Sequence, residues 1–142
     1  MIRMYRQILS DLGSYASLIS LALTVYIAWN VRNIKNKYIF RIKAPQFVKT
    51  LTKRASTLIE YTNDFQNNKR EIGDELTLID VKLKGIQGRM RGESKKAVKD
   101  LRARIREYER EPDNEAKIHL IYRWMQRVIE EVKEYQEYLD LE

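Results

Sequence analysis

The sequence predicts an all-α protein in which one N-terminal transmembrane helix precedes a small helical bundle of about four helices. Three observations lead to this prediction. Residues 12–31 contain no Asp, Glu, Lys, Arg or His. In the rest of the chain, apolar residues recur at spacings of three and four, which is the period of an amphipathic helix. No stretch alternates apolar and polar residues over the length of a strand.

The first predicted element is a membrane span at residues 12–31, bounded by Asp11 and Arg32. At about 1.5 Å per residue, a helix of this length covers roughly 30 Å, the thickness of the hydrocarbon core of a bilayer. A cleaved signal peptide would have a shorter apolar run that ends on small residues, whereas this run ends around Tyr26 and Trp29. We therefore expect an uncleaved membrane anchor.

The charges on either side of the span predict its orientation. Residues 1–11 contain two arginines and one aspartate, whereas residues 32–44 contain five cations and no acid. Lysine and arginine accumulate on the cytoplasmic side of a membrane, so residues 1–11 are predicted to lie outside the cytoplasm. Residues 32–44 are predicted to form a basic juxtamembrane segment that attracts anionic lipid head groups. We prefer this explanation of the charge to the binding of long nucleic acid.

One face of the predicted span carries small and hydroxyl side chains, namely Gly13, Ser17, Ser20, Thr24 and Ala28. Their spacings of three and four place them on one helical stripe, and such stripes let helix backbones approach closely in lipid. The alternative is that small residues are simply common in spans. We expect a homo-oligomer, either a dimer or a tetramer.

Residues 45–142 are predicted to form a cytosolic all-α domain. The residue before a proline avoids the helical region, so Ala44-Pro45 should break or bend the membrane helix. Pro45 should then open the first helix of the bundle, since proline suits a first helical turn. Four helices of this size bury little apolar area in one chain, which favours a core shared across a symmetry axis.

The apolar spacing defines the four helices of this domain. The predicted buried lines are Val48, Leu51, Ala55, Leu58, Thr62 and Phe65; Ile72, Leu76, Ile79, Leu83, Ile86 and Met90; Val98, Leu101, Ile105 and Tyr108; and Ile118, Ile121, Met125, Val128, Val132, Tyr135 and Leu139. Between them, turns are predicted at Asn67-Asn68, at Gly92 with Ser94 as the next N-cap, and at residues 112–114.

The composition argues against an enzyme. Cysteine is absent, which excludes disulfides, thiol nucleophiles and cysteine-ligated zinc, and there is no glycine-rich phosphate loop. Glu115 and His119 lie four residues apart on a predicted helix, a spacing that could hold a metal ion. No other helix carries the matching ligands that a metal centre in a bundle needs. We expect no catalytic residues, no metal site and no cofactor.

A basic block at residues 82–109, with a net charge of +6, lies between two acidic segments. Its centre is a predicted helix–turn–helix junction around Gly92, where cations and the free N–H groups of a new helix would meet. The last helix adds cations beside Tyr122 and Trp124, and such a combination can hold a nucleotide. The candidate ligand-binding residues are Arg89, Arg91, Lys95, Lys96, His119 and Arg123. The alternative is a solvated surface that pairs with the acidic segments.

In layout, the chain resembles the small membrane-anchored effectors of bacterial antiphage defence. The features concerned are the span at residues 12–31, the basic junction at residues 89–96 and the final helix at residues 118–139. The nearest such family is the membrane effector of some type III CRISPR systems, which binds cyclic tetra-adenylate. The resemblance implies an oligomer in the bacterial inner membrane whose cytoplasmic domain binds a cyclic oligoadenylate second messenger and perturbs the membrane. The alternatives are a non-catalytic membrane scaffold or a small helical subunit of a larger membrane complex.

Overall fold

The computed structural model describes residues 1–141, and over this range it contains helices and turns but no strand. The four helices are α1 (Ile2–Thr62), α2 (Lys69–Gln87), α3 (Gly92–Arg110) and α4 (Glu115–Leu141). The all-α prediction is therefore confirmed for the described part of the chain. The chain divides into two compact units, of which the first is Met1–Asn36 and the second begins at Lys37.

The first unit is a single helical segment, the N-terminal part of α1. It contains a window of 18 residues with a mean hydropathy of 1.5, so α1 is long and apolar enough to cross a membrane. None of this window is buried against the rest of the chain. Within this chain, therefore, the segment is not a core helix. The length and composition of this segment are compatible with the predicted single span.

The second unit, which we call the bundle unit, is an antiparallel four-helix bundle. It comprises residues 37–62 of α1 together with α2, α3 and α4. Short connections at residues 63–68, 88–91 and 111–114 require consecutive helices to run in opposite directions. Contacts between neighbouring helices are Arg54 with Glu75, Arg102 with Asp80, Arg104 with Trp124, and Phe40 with Tyr135.

The bundle unit therefore has two distinct ends. At the proximal end, where the chain enters at Lys37, lie the α2–α3 turn and the last turns of α4, since Arg41 donates a hydrogen bond to the carbonyl oxygen of Leu139. At the distal end lie the α1–α2 and α3–α4 turns. There, Lys69 Nζ is 2.8 Å from Asp113 Oδ1.

The predicted break at Pro45 is wrong, because α1 runs through this residue without interruption. Pro45 itself is exposed, while Phe40 and Ala44 before it and Phe47 and Leu51 after it lie on one buried stripe. Burying large apolar side chains contributes about 1.5–3 kcal/mol each, which offsets the roughly 3 kcal/mol cost of an internal proline. Residues 37–44, which we expected in the juxtamembrane segment, thus belong to the bundle unit.

The predicted apolar lines form the core of the bundle unit. All their members are buried except Val48 and Tyr135, which are partly buried and pack against the core. The helix that begins at Lys69 and the one that ends at Arg110 both present the predicted faces inward. Thr62 is buried and satisfies its hydroxyl by donating to the carbonyl oxygen of Leu58 at 2.7 Å.

The start of α3 differs from the prediction. Gly92 does not end the second helix; α2 ends at Gln87, and Gly92 is the first residue of α3, with Arg91 as its N-cap. Gly92 has a φ of +65°, which glycine adopts at little steric cost. Ser94 is not the N-cap, since its hydroxyl donates back to the carbonyl oxygen of Arg91 at 2.8 Å.

Candidate functional site

Part of the basic block has a structural role within the bundle unit. Arg102 lies between α3 and α2, where its Nε donates to Asp80 Oδ1 and its Nη1 to Gln87 Oε1, both at 2.8 Å. Arg104 lies 3.4 Å from Glu107. These two arginines agree with the alternative interpretation, in which basic residues pair with nearby polar and acidic groups.

Two lysines at the start of α3 differ from this pattern. Lys95 is half-buried and Lys96 is exposed, and neither has an ion-pair or hydrogen-bond partner within residues 1–141. Arg91 is exposed at the N-cap position of α3. Glu93, in the same first turn, is the acidic residue closest along the chain to these cations. The α2–α3 junction is therefore locally basic, while the last turns of α4 at the same end carry Glu134, Glu137 and Asp140.

Arg89 is half-buried and points along α2 instead of across the junction. Its Nη1 donates to the carbonyl oxygen of Gly85 at 2.8 Å. Its Nε is buried and finds no acceptor in the described part of the chain. A buried donor without an acceptor is costly, so the Nε of Arg89 is an unused donor inside the bundle unit.

His119 and Arg123 lie away from the junction within one chain. They occupy the N-terminal half of α4, which runs antiparallel to α3, and Arg104 of α3 lies over the ring of the neighbouring Trp124. This register places them roughly 15–20 Å from Lys95 along the bundle, given about 1.5 Å per residue. The structure therefore groups the four junction residues and does not bring the two residues of α4 to them.

The region around His119 forms a second, smaller group of cations and aromatic rings. Trp124 has Arg127 at 4.9 Å and Arg104 at 5.7 Å from its ring centroid. These are cation–π contacts that occupy the indole. His119 Nε2 lies 3.9 Å from Glu115 Oε1, and no third metal-ligating side chain joins this pair within the described residues.

The sequence reasoning missed a groove between α1 and α2 at the proximal end. Its volume is about 430 Å³, and its lining consists of Lys43, Gln46, Phe47, Thr50, Val81, Lys82, Gly85, Ile86 and Arg89. Two signals were present in the sequence, because Lys82 and Arg89 lie seven residues apart on one face of α2 with Gly85 between them. The contribution of Lys43 from α1 could not be known before the two helices were placed side by side.

Two titratable groups with altered pKa values lie at the distal end. Burial, and to a smaller extent the nearby charge of Asp113, raises the pKa of the Tyr108 phenol. A hydrogen bond from Lys117, together with its charge, lowers the pKa of Glu111, and the two groups lie 2.8 Å apart. These shifts concern the turn between α3 and α4, which is the opposite end from the basic junction.

Comparisons of the chain with models of known protein families, with curated proteins and with solved structures find no match. The features that bear on function are therefore the candidate span, the basic α2–α3 junction and the groove between α1 and α2.

Proposed function

We propose that this protein is an inner-membrane effector of bacterial antiphage defence, anchored by a single span with its bundle unit in the cytoplasm. In this proposal, the bundle unit binds a cyclic oligoadenylate second messenger, and binding changes how the spans of a homo-oligomer pack. The observation that carries the proposal is the basic α2–α3 junction, where Lys95 and Lys96 have no ion-pair partner within residues 1–141.

The charge at the proximal end supports a polyanionic ligand. Lys95 and Lys96 have no ion-pair partner within residues 1–141, whereas Arg102 and Arg104 further along α3 are paired. A cyclic oligonucleotide presents several phosphates, and charge-assisted hydrogen bonds to phosphate are roughly twice as strong as neutral ones. The N-terminus of α3 adds backbone N–H groups at the same place.

The geometry revises the residue set within this proposal. Arg89, Arg91, Lys95 and Lys96 form the binding surface of one chain. His119 and Arg123 belong to the same site only if a neighbouring subunit supplies them. A symmetric oligomer would repeat the cationic surface around its axis, as a ligand with repeating phosphates requires.

The test is a binding titration on the full chain in detergent or nanodiscs, using cyclic adenylates of several ring sizes. The double variant Lys95→Ala/Lys96→Ala should weaken binding by about tenfold or more, because it removes two charge-assisted contacts. The wild-type affinity should also fall as salt rises. The matched control is Arg106→Ala, an exposed cation in the C-terminal half of α3, which should change affinity less than about twofold.

Two results would contradict the proposal. If no cyclic adenylate binds, the second-messenger role fails. If Arg106→Ala weakens binding as much as the junction variant, the ligand responds only to overall charge. His119→Ala adds a further distinction, since it should weaken binding only if a second subunit completes the site.

A second candidate function, a membrane scaffold, is favoured by two exposed apolar residues of α2. Leu78 is 46% and Val81 is 62% exposed, and their spacing of three places them on one face of the helix. Exposed apolar residues of this kind can contact a partner protein. If the titration with cyclic adenylates fails, this face is where we would search for such a partner by crosslinking.

A further inference from the structure

The groove between α1 and α2 has the features of a small-molecule site. Its volume of about 430 Å³ is within the range of ligand pockets, roughly 300–1,000 Å³. Its lining includes the apolar side chains of Phe47 and Ile86, which are 8% and 5% exposed, and of Val81, which is 62% exposed. Gln46 and Thr50 add an amide and a hydroxyl that can donate or accept hydrogen bonds.

The charges of the groove all have one sign. Lys43 enters from α1 and Lys82 and Arg89 from α2, and the lining contains no carboxylate. Neither lysine has an ion-pair partner within residues 1–141, and Arg89 Nε has no acceptor there. Cations held near one another repel, and this repulsion is relieved when an anion lies between them.

The backbone of α2 leaves room for the ligand. Gly85 lines the groove between Lys82 and Arg89, and a Cβ atom added there would meet nothing within 4 Å. The glycine is therefore not needed for helix packing inside this chain. It widens the groove between the two cations of α2, at a cost of about 1 kcal/mol relative to alanine in a helix.

We infer that this groove binds one nucleotide unit of a phosphate-bearing ligand. The phosphate lies among Lys43, Lys82 and Arg89, and the base lies against Phe47 and Ile86, with Gln46 available to hydrogen-bond its edge. Aromatic and apolar surface beside clustered cations is the combination by which proteins hold nucleotides. The choice of ligand class rests on the proposed function. The new element is the location of the site, which extends from Arg89 into the groove.

A groove-filling variant tests the site without removing any core contact. In Gly85→Leu, the new side chain enters open space, and a helix without this glycine is more stable, so the protein should remain folded. Because the leucine fills the groove, the affinity for the ligand should fall by at least about 50-fold. Lys82→Ala should weaken binding by about tenfold. The controls are Gly73→Leu, at a glycine of α2 outside the groove, and Lys84→Ala, at an exposed lysine two residues away. Both should change affinity less than about twofold.

The experiment uses the full chain in nanodiscs, with cyclic tetra-adenylate and adenosine monophosphate as soluble probes and phosphatidylglycerol as the lipid probe. Loss of nucleotide binding in Gly85→Leu but not in Gly73→Leu supports the groove. If nucleotide binding is lost only in Lys95→Ala/Lys96→Ala, the groove is not the binding site, and the proposed function still stands. If adenosine monophosphate binds in the groove and no cyclic adenylate binds to the protein, the groove is a nucleotide site but the proposed function is wrong. If Gly85→Leu and Lys82→Ala both remove the binding of phosphatidylglycerol while Gly73→Leu and Lys84→Ala do not, and no nucleotide binds, the groove cations hold a lipid phosphate and the nucleotide inference is wrong.

Discussion

The two units of this protein use similar apolar residues in opposite ways. In the first unit, Ile19 and Leu21 are 61% and 62% exposed, whereas Ile79 and Leu101 of the bundle unit are fully buried. In residues 12–31 no charged side chain interrupts the helix surface, whereas apolar residues follow one stripe in each helix of the bundle unit. A long uncharged run therefore indicates a candidate span, and apolar spacing indicates a protein core.

Hydroxyl groups bond within their own helix in both units, as Thr62 does in the bundle unit, and the contrast lies in a buried charged pair of the bundle unit. In the first unit, the hydroxyls of Ser14 and Thr24 donate to the carbonyl oxygens four residues earlier, at 3.1 and 2.8 Å. Satisfaction within one helix is what a lipid environment requires, since lipid offers no hydrogen-bond partner. In the bundle unit, the buried carboxylate of Glu75 instead reaches another helix, and Arg54 Nη1 lies 3.2 Å from each of its oxygens.

The largest expected effect is the difference between a Leu→Ala substitution in the bundle unit and the same substitution in the first unit. Leu101→Ala should lower the free energy of unfolding of the bundle unit by about 2–5 kcal/mol, because it leaves a cavity in a fully buried site. Leu21→Ala should leave it unchanged, because Leu21 has no buried contacts within the chain. Thermal denaturation of the full chain in detergent measures both. If Leu21→Ala destabilises the protein as strongly, the first unit is packed against protein, and the comparison fails.

A smaller effect is expected at Pro45, near the start of the bundle unit. Pro45→Ala should raise the free energy of unfolding by about 1–3 kcal/mol, because α1 is continuous there and alanine restores the missing backbone hydrogen bond. The control is Ser56→Ala at an exposed position of the same helix, where the gain should stay near a few tenths of a kcal/mol. If Pro45→Ala destabilises the protein, proline is at a helix start, as the sequence alone predicted.

The sequence was sufficient to predict those features of the fold that depend on a single helix. Spacing alone identified the buried faces of α2, α3 and α4, because a helix that packs on one side must carry its apolar residues at that period. Local signals were less reliable. Pro45 is a strong helix breaker in isolation, yet the buried residues on both sides of it, including Phe40 and Phe47, keep α1 continuous.

The candidate site could be predicted only where its residues are close in the sequence. The junction residues from Arg89 to Lys96 stay together because a short turn connects their helices. His119 was grouped with them on chemistry alone, and the antiparallel register of α3 and α4 separates it from Lys95. The groove depends on Lys43 meeting α2, and no pattern in either helix alone specifies that pairing.

The smallest expected effect concerns a buried phenol in the bundle unit, compared with an exposed one in the first unit. Tyr108 is 2% exposed, and its hydroxyl has no hydrogen-bond partner within residues 1–141. Because its pKa is raised in the folded state, the folded protein holds this proton more tightly than the unfolded chain does. The resulting stability is complete below the ordinary tyrosine pKa of about 10 and is lost as the pH rises through the higher folded-state pKa.

Tyr108→Phe should therefore reduce the loss of stability between pH 8 and pH 11, while at neutral pH it should be neutral or stabilising by up to about 1 kcal/mol. Lysines also lose their charge over this range, so the informative quantity is the difference between the variant and the wild type, measured as the change in melting temperature of the full chain with pH. Tyr15→Phe, at a residue that is 66% exposed in the first unit, is the control and should follow the wild type. If Tyr108→Phe also follows the wild type, the phenol is not desolvated in the folded protein, and burial in the bundle unit does not extend to the distal end.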